Sequence, residues 1–266
     1  MRKLMENERE ALLQYISAEP EQTLFIYGDI EVYGLAGDIV EVFCEDLPSG
    51  GYDFVLLRYL DSYVFYSHHT AYNAEAVAAW VTKHGFDVFS GKAQVAAKAA
   101  ALLPLKSCQN TFLARMGAMQ AAPSAALCKV RALQVEDAAA IFDLLVQIAE
   151  FGCDAAEREK EIAHYRQNLE KGGHAFGIFE NDVLVSLAET SAENDISAML
   201  IGVATLPSAR GQGYATACVQ KAAQFCFAAG RKYLCLFYDN PVAGKIYHKC
   251  GFEDIGEYLL AKSARR

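Results

Sequence analysis

Apolar positions recur along this chain with two spacings, one helical and one strand-like, and the spacing predicts element type before any chemistry is considered. From Asn7 to Ser17, Leu12, Leu13 and Ile16 share one helical face, and Pro20 stops the run. TLFIYGDI, EVFCED, YDFVLLRYL and SYVFYSH come next, bounded by Gly, Asp and the Pro-Ser-Gly-Gly turn at 48–51, and each predicts a strand. AYNAEAVAAWVTKHG then predicts a helix with Asn73 as N-cap and Gly85 past its end. Another helix is expected over Lys92 to Leu103, ahead of Pro104. Together these elements predict an α+β unit over residues 1–115.

Residues 117–127, GAMQAAPSAAL, are small, uncharged and include Pro123, so a linker is placed there, at 116–123. A second unit is expected over 124–266. It opens with a strand in CKVRALQ and an amphipathic helix in VEDAAAIFDLLVQIAEFG, with Ile141, Leu144, Leu145 and Ile148 on one face. A polar helix from Asp154 to Lys171 ends at Gly172-Gly173. Strands HAFGIFE and VLVSLAET meet at Asn181-Asp182, a hairpin-like turn. ISAMLIGVATL leads into a Gly-rich turn and a helix over 212–229, and the order closes with strand KYLCLFY, helix 240–250 and strand FEDIGEYLLA.

Composition narrows the function classes. The chain has 266 residues, 53% hydrophobic and 21% charged, which suits globular domains rather than a disordered or fibrous chain. Lys plus Arg is 24 against 33 for Asp plus Glu, a net charge of −9 that repels nucleic-acid backbones. No nucleic-acid partner is expected, although a local site for a small phosphorylated ligand stays open. The opening MRKLMENEREALLQYI lacks the apolar core of a secretory signal, and no apolar run reaches membrane-spanning length. The eight cysteines form no CxxC and no His/Cys cluster of zinc spacing, so they read as reduced thiols, with no metal, in a cytoplasmic protein.

The informative passage is GVATLPSARGQGYATACVQKAAQFCFAAG. A Gly-rich turn that opens a helix presents backbone N–H groups and the positive end of the helix dipole, which suits a pyrophosphate. Gly211 and Gly213 let the backbone approach an anion closely. The Walker pattern GxxxxGK[ST] is absent, and Thr216 stands where the dinucleotide fingerprint needs its last glycine. The pattern that fits is [RQ]xxGx[GA], filled by Arg210, Gly213 and Ala215.

With these residues the chain resembles the GNAT superfamily of N-acetyltransferases. The second signature comes in order: Asn240-Pro241-Val242-Ala243-Gly244-Lys245-Ile246-Tyr247, then Gly251-Phe252, matches the family's N-x-x-A-x-x-x-Y-x-x-x-GF. More narrowly, the chain is similar to a bacterial group of predicted GNAT acetyltransferases with an extra N-terminal region. The resemblance implies an α+β fold, with a GNAT domain (a mixed, mostly antiparallel twisted sheet flanked by helices) in the C-terminal half. A smaller, degenerate GNAT-like α+β domain would precede it, since the first half has neither RxxGx[GA] nor N-x-x-A-x-x-x-Y. The pairs Gly85-Phe86 and Gly251-Phe252 are a short echo between the halves.

The resemblance also implies roles. Val203, Ala204 and Thr205 would pair by backbone with the pantetheine arm of acetyl-coenzyme A, as an added strand does. Arg210 would frame the loop, and Gly211, Gln212, Gly213, Tyr214, Ala215 and Thr216 would hold the pyrophosphate. Asn240 would lie near the pantetheine or the acetyl group, a role compatible with a plain N-cap. Tyr247 stands where many members place a general acid, and a phenol of ordinary pKa near ~10 stays protonated at neutral pH. Taken alone, the same tyrosine reads as an aromatic that anchors its helix. Many members carry a glutamate in the strand before the loop; here Ala198-Met199-Leu200 cannot take a proton, and Glu189 or Glu150 would substitute as base. The implied activity is acetyl transfer from acetyl-coenzyme A to a primary amine, on a small molecule rather than a peptide N-terminus or lysine. Another acyl group on an amino acid, or a non-catalytic coenzyme A-binding sensor, are the alternatives. A homodimer stays open.

Overall fold

In the computed structural model, which describes residues 1–35, 37–119 and 121–264, the alternating runs near the start form strands whose side chains sort onto two faces of one sheet. These are β1 (Arg2–Lys3), β2 (Val40–Asp46), β3 (Tyr52–Tyr59) and β4 (Ser62–Tyr66), each antiparallel to the next, with β5 (Val88–Lys92) parallel to β4. Val42, Val55, Leu57 and Tyr66 face α1 (Arg9–Ile16) and α2 (Leu24–Tyr33). Their neighbours Phe43, Phe54, Leu56 and Phe65 face α3 (Ala74–His84) and α4 (Ala93–Ala100). Period-two alternation gives both faces a helical layer to pack against.

TLFIYGDI, expected as a strand, is helical and makes up most of α2. Leu24, Ile26 and Ile30 are buried, and Phe25 and Tyr27 pack partly against the same core. The first five residues of α2, 24–28, carry no charge on any side, so they leave no 3.6-residue signature, and so short a run reads like a buried strand. Gly34, with φ of 77°, ends it. Asn73 caps α3 through its side chain as expected, and Gly85 comes after the helix with φ of 78°. Three strands escaped the pattern altogether: the two-residue β1, β5 and β6 (Leu105–Met116).

The second unit repeats the order of the first. It runs β7 (Arg131–Ala132), α5 (Ala138–Leu145), α6 (Arg158–Glu170), β8 (Ala175–Glu180), β9 (Val183–Ser191), β10 (Ser197–Thr205), α7 (Tyr214–Ala228), β11 (Tyr233–Tyr238) and α8 (Pro241–Cys250), after which the chain returns to the first unit as β12 (Glu253–Ser263). Strands β7 to β10 are antiparallel neighbours, and β11 is parallel to β10, as β5 is to β4. Asn181 and Asp182, with φ of 49° and 64°, make the two-residue turn between β8 and β9. The core gathers Ile141, Leu144, Phe176, Leu187, Leu200, Val219 and Leu234, among others.

The compact units do not divide at the expected 115 and 124. One is Met1–Leu113 together with the residues from Asp254 onward; the other is Ala114–Glu253. Tyr258 to Lys262 of β12 pair antiparallel with Lys92 to Val88 of β5, so the last strand completes the first sheet. Ala114 and Met116, at the end of β6, are buried in the second core. Residue 120, within the expected linker, lies outside the described residues, but the chain beyond it is tied to α7 by hydrogen bonds at Ala122 and Ser124. The Gly-Phe echo joins unlike places: Gly85 comes after α3, whereas Gly251 comes after α8, whose counterpart is α4.

Candidate active site

Strand β10 is regular only for its first half. Ser197–Leu200 pair in parallel with Tyr233–Leu236, but β10 continues to Thr205 and β11 to Tyr238 beyond the last pair among the described residues. The other edge stays fastened to β9: Leu206 N donates to Val185 O at 2.9 Å, and Ser186 Oγ donates to Ala204 O at 3.0 Å. Between Ile201 and Ala204 the register against β9 shifts, at Gly202, whose φ is 60°. A glycine within a strand run marks such a bulge. The result is a stretch of backbone, 201–205, whose β11-facing edge is open to another extended chain.

Glu189 lies directly behind the bulge. It pairs with Ile201 across the ladder, and a Cβ on Gly202 would strike its carboxylate. The side chain is 5% exposed, and burial pushes its carboxyl up to about 7. Glu150, the other substitute base, stands exposed on the single turn Ala149–Phe151 after α5; no hydrogen bond or ion pair among the described residues involves it. Ala198, Met199 and Leu200 are buried in β10 and offer no carboxylate.

After Thr205 the chain makes one turn, Pro207–Ala209, and Arg210 ties the loop back through Nε to Thr205 O at 3.2 Å. Gly211 and Gly213 have φ of 81° and 76°, in the left-handed region that glycine adopts without penalty. Helix α7 starts at Tyr214 with no side-chain cap and no acidic residue in its first turn, so its leading N–H groups stay available. A Cβ at Gly211 would meet nothing within 4 Å, and one at Gly213 only Ser124 Oγ at 3.4 Å. The space above the loop is therefore clear, and its lining suits an anion.

Two of the loop residues contribute differently from the motif's suggestion. Tyr214 is 3% exposed and turned inward: its hydroxyl donates to the Glu180 carboxylate and accepts from Lys129 Nζ at 3.0 Å. Only its backbone N–H can face a ligand. Thr216 is buried and its carbonyl accepts from Cys250 Sγ, whereas Gly211 and Gln212 are exposed.

Asn240 caps α8, its Oδ1 accepting from Val242 N at 2.9 Å, and the side chain is exposed where β11 ends. Tyr247, one helix face further on, is 7% exposed, with ring centroids 5.6 Å from Tyr238 and 6.1 Å from Phe252. Burial pushes its phenol up to about 12, so it holds its proton throughout the neutral range. Gly244 allows this packing: a Cβ there would stand 2.5 Å from Tyr238 Cε2. Neighbouring His248 is exposed, with Nε2 3.2 Å from Tyr238 Oη.

The corresponding place in the first unit is built differently. β4 stays paired with β5 as far as Phe65↔Gly91, next to its last residue. The next helix, α3, is capped by Asn73 Oδ1, which accepts from Ala76 N at 3.0 Å, and carries Glu75 in its first turn. A capped helix start with a carboxylate on it repels an anion. Among the described residues no group of three or more His, Cys, Asp and Glu could hold a metal ion, and no helix is long and apolar enough to cross a membrane.

Residues 138–252 match the model of the acetyltransferase (GNAT) family, and it is to this class of acyl-transferring domains that the second unit belongs. Comparison with curated proteins finds no match. Among solved structures, the chain is similar to a GCN5-related N-acetyltransferase from Sphaerobacter thermophilus (TM-score 0.64, 15% identity, covering 98% of this chain and 94% of that one). It is also similar to a GCN5-related N-acetyltransferase-like protein from Streptococcus suis (TM-score 0.60, 14% identity, 97% and 99%). A tandem GNAT protein from the clavulanic acid biosynthesis pathway aligns over 99% of this chain and 98% of its own, with TM-score 0.58 and 12% identity. At such identities the likeness is one of fold, and it extends over both units.

Proposed function

We propose that the protein is an acetyl-coenzyme A-dependent N-acetyltransferase that acetylates a primary amine of a small molecule by direct attack, with the chemistry in the second unit. The observation that carries this reading is the continuity of the open β10 edge at 201–205 with the uncapped start of α7. An extended arm bonded along that edge would bring a diphosphate to Gly211–Thr216. The thioester would then reach the bulge at Gly202, where backbone N–H groups can polarise its carbonyl.

Glu189 fits the base better than Glu150, being buried behind that bulge with its carboxyl near neutrality. It would take a proton from the acceptor's ammonium, directly or through a water, leaving the neutral amine to attack the thioester carbonyl. Tyr247, held neutral, would donate to the departing thiolate. Positioning of both substrates supplies much of the remaining rate. The net charge of −9 draws cationic amines toward the protein from a distance, in keeping with an amine acceptor and a cytoplasmic setting. Thiol release from acetyl-coenzyme A against a panel of small amines, with a lysine peptide alongside, tests the reading. Release stimulated by small amines is expected. Binding without release on any acceptor would instead favour a non-catalytic coenzyme A-binding module.

A further inference from the structure

The segment 121–129, which begins in the expected linker, is fastened along the start of α7. Gln220 on that helix is 1% exposed, and its amide is spent on the segment's backbone. Its Nε2 donates to Ala122 O at 3.0 Å and its Oε1 accepts from Ser124 N at 2.7 Å. An amide engaged at both ends fixes the position of the strap it holds.

Ser124 is thereby carried to the cofactor loop, and Lys129, further along the same segment, lies beside Tyr214 with half its side chain in solvent. Ser124 Oγ accepts from Ala126 N at 3.3 Å and donates to Gly213 O at 3.4 Å, the outer limit for such a bond. It is also the one atom within 4 Å of the Cβ position of Gly213. A phosphate oxygen over the loop would be a much better acceptor for that hydroxyl. At the other end, Lys129 Nζ donates to Tyr214 Oη at 3.0 Å, stands 3.6 Å from Glu180, and leaves half its side chain exposed. The Tyr214 hydrogen bond raises its pKa, so it stays a cation beside the first residue of α7.

We propose that residues 121–129 form a wall of the cofactor site, in which Ser124 and Lys129 contact phosphate oxygens of acetyl-coenzyme A and Gln220 is the residue that positions Ser124. The proposal rests on the acetyl-coenzyme A reading and extends the site beyond the loop that the family motif spans. The test is calorimetric titration of the full chain with acetyl-coenzyme A and with its 3′-dephospho form, at low and high salt. Ser124→Ala should weaken binding about tenfold, as the loss of a hydrogen bond to a charged group does, and Ser124→Thr should restore it. Lys129→Met should weaken binding several-fold at low salt and less at high salt. If its deficit disappears with the dephospho ligand, the lysine contacts the 3′-phosphate; if it persists, the pyrophosphate. Gln220→Leu should lower affinity as Ser124→Ala does, and Ser124→Ala avoids any loss of folding at that buried site. Unchanged affinity in both Ser124→Ala and Lys129→Met, in a protein whose wild type binds, would overturn the wall. A wild type that does not bind would overturn the cofactor reading instead.

Discussion

Burial pushes the Glu189 carboxyl up to about 7, and this one shift sets two pH dependences of opposite sign. As a base the group acts ionised, so turnover should rise as pH passes 7. For stability the folded chain holds the proton more tightly than the unfolded one, whose carboxyl titrates at its ordinary 4.5. Between those values the native state binds more protons, so this group's contribution to stability falls as pH rises. Asp29, half-buried in α2 and likewise pushed up to about 7 by burial, adds in the same direction. Glu189→Gln should therefore melt higher than wild type at pH 8, by a margin that shrinks toward pH 5, while turnover drops about 10²–10⁴-fold. Wild-type turnover in that variant would remove Glu189 from the mechanism. Tyr247→Phe makes the complementary test. The ring contacts with Tyr238 and Phe252 survive, so melting temperature and acetyl-coenzyme A affinity should hold while turnover falls about 10²–10⁴-fold. Normal stability with normal turnover would leave Tyr247 as a packing residue only.

The loop between β10 and α7 owes its shape to two glycines in the left-handed region, and their surroundings set different tolerances. At Gly213 a valine adds a branched side chain to a φ of 76° and meets Ser124 Oγ, so Gly213→Val should abolish acetyl-coenzyme A binding with the circular dichroism spectrum intact. At Gly211 nothing lies within 4 Å, so Gly211→Ala should cost only backbone strain, about 1 kcal/mol, and a modest loss of affinity. Equal affinities for Gly213→Val and wild type would show that the anion binds elsewhere. Elements with local punctuation were legible from sequence: α3 and α8 by the caps Asn73 and Asn240, and the β8–β9 hairpin by Asn181-Asp182. α2 was misread because its first five residues, 24–28, carry no charge on any face. β6 was missed because residues 106–110 are exposed on both faces and show no alternation. The motif residues of the site could be read for the same reason, being close together along the chain. The Gln220 clamp could not, since its partners lie 96 and 98 positions away; the one trace was a glutamine set among Val219, Ala222 and Ala223. Neither the bulge at Gly202 nor Glu189 behind it was read from ISAMLIGVATL, because the two residues meet only across the ladder.

At the scale of the whole chain, one element order is used twice, and the two copies have diverged at the end of the last antiparallel strand and at the helix after it. In the second copy the strands part and the next helix starts uncapped; in the first they stay paired and the helix is capped by Asn73. The last strand belongs to the first sheet, with Leu259 and Ala261 in its core, whereas Ala114 and Met116 belong to the second. A fragment spanning 114–253 should therefore melt cooperatively, while 124–266 should aggregate, carrying β12 without β5 and lacking Ala114 and Met116. A well-folded 124–266 and an unfolded 114–253 would reverse that assignment. The central claim, a single cofactor cradle in the second unit, is tested most directly by isothermal titration of the full chain with acetyl-coenzyme A. The account predicts one site per chain, lost in Gly213→Val. No binding, two sites per chain, or a site indifferent to that substitution would contradict it.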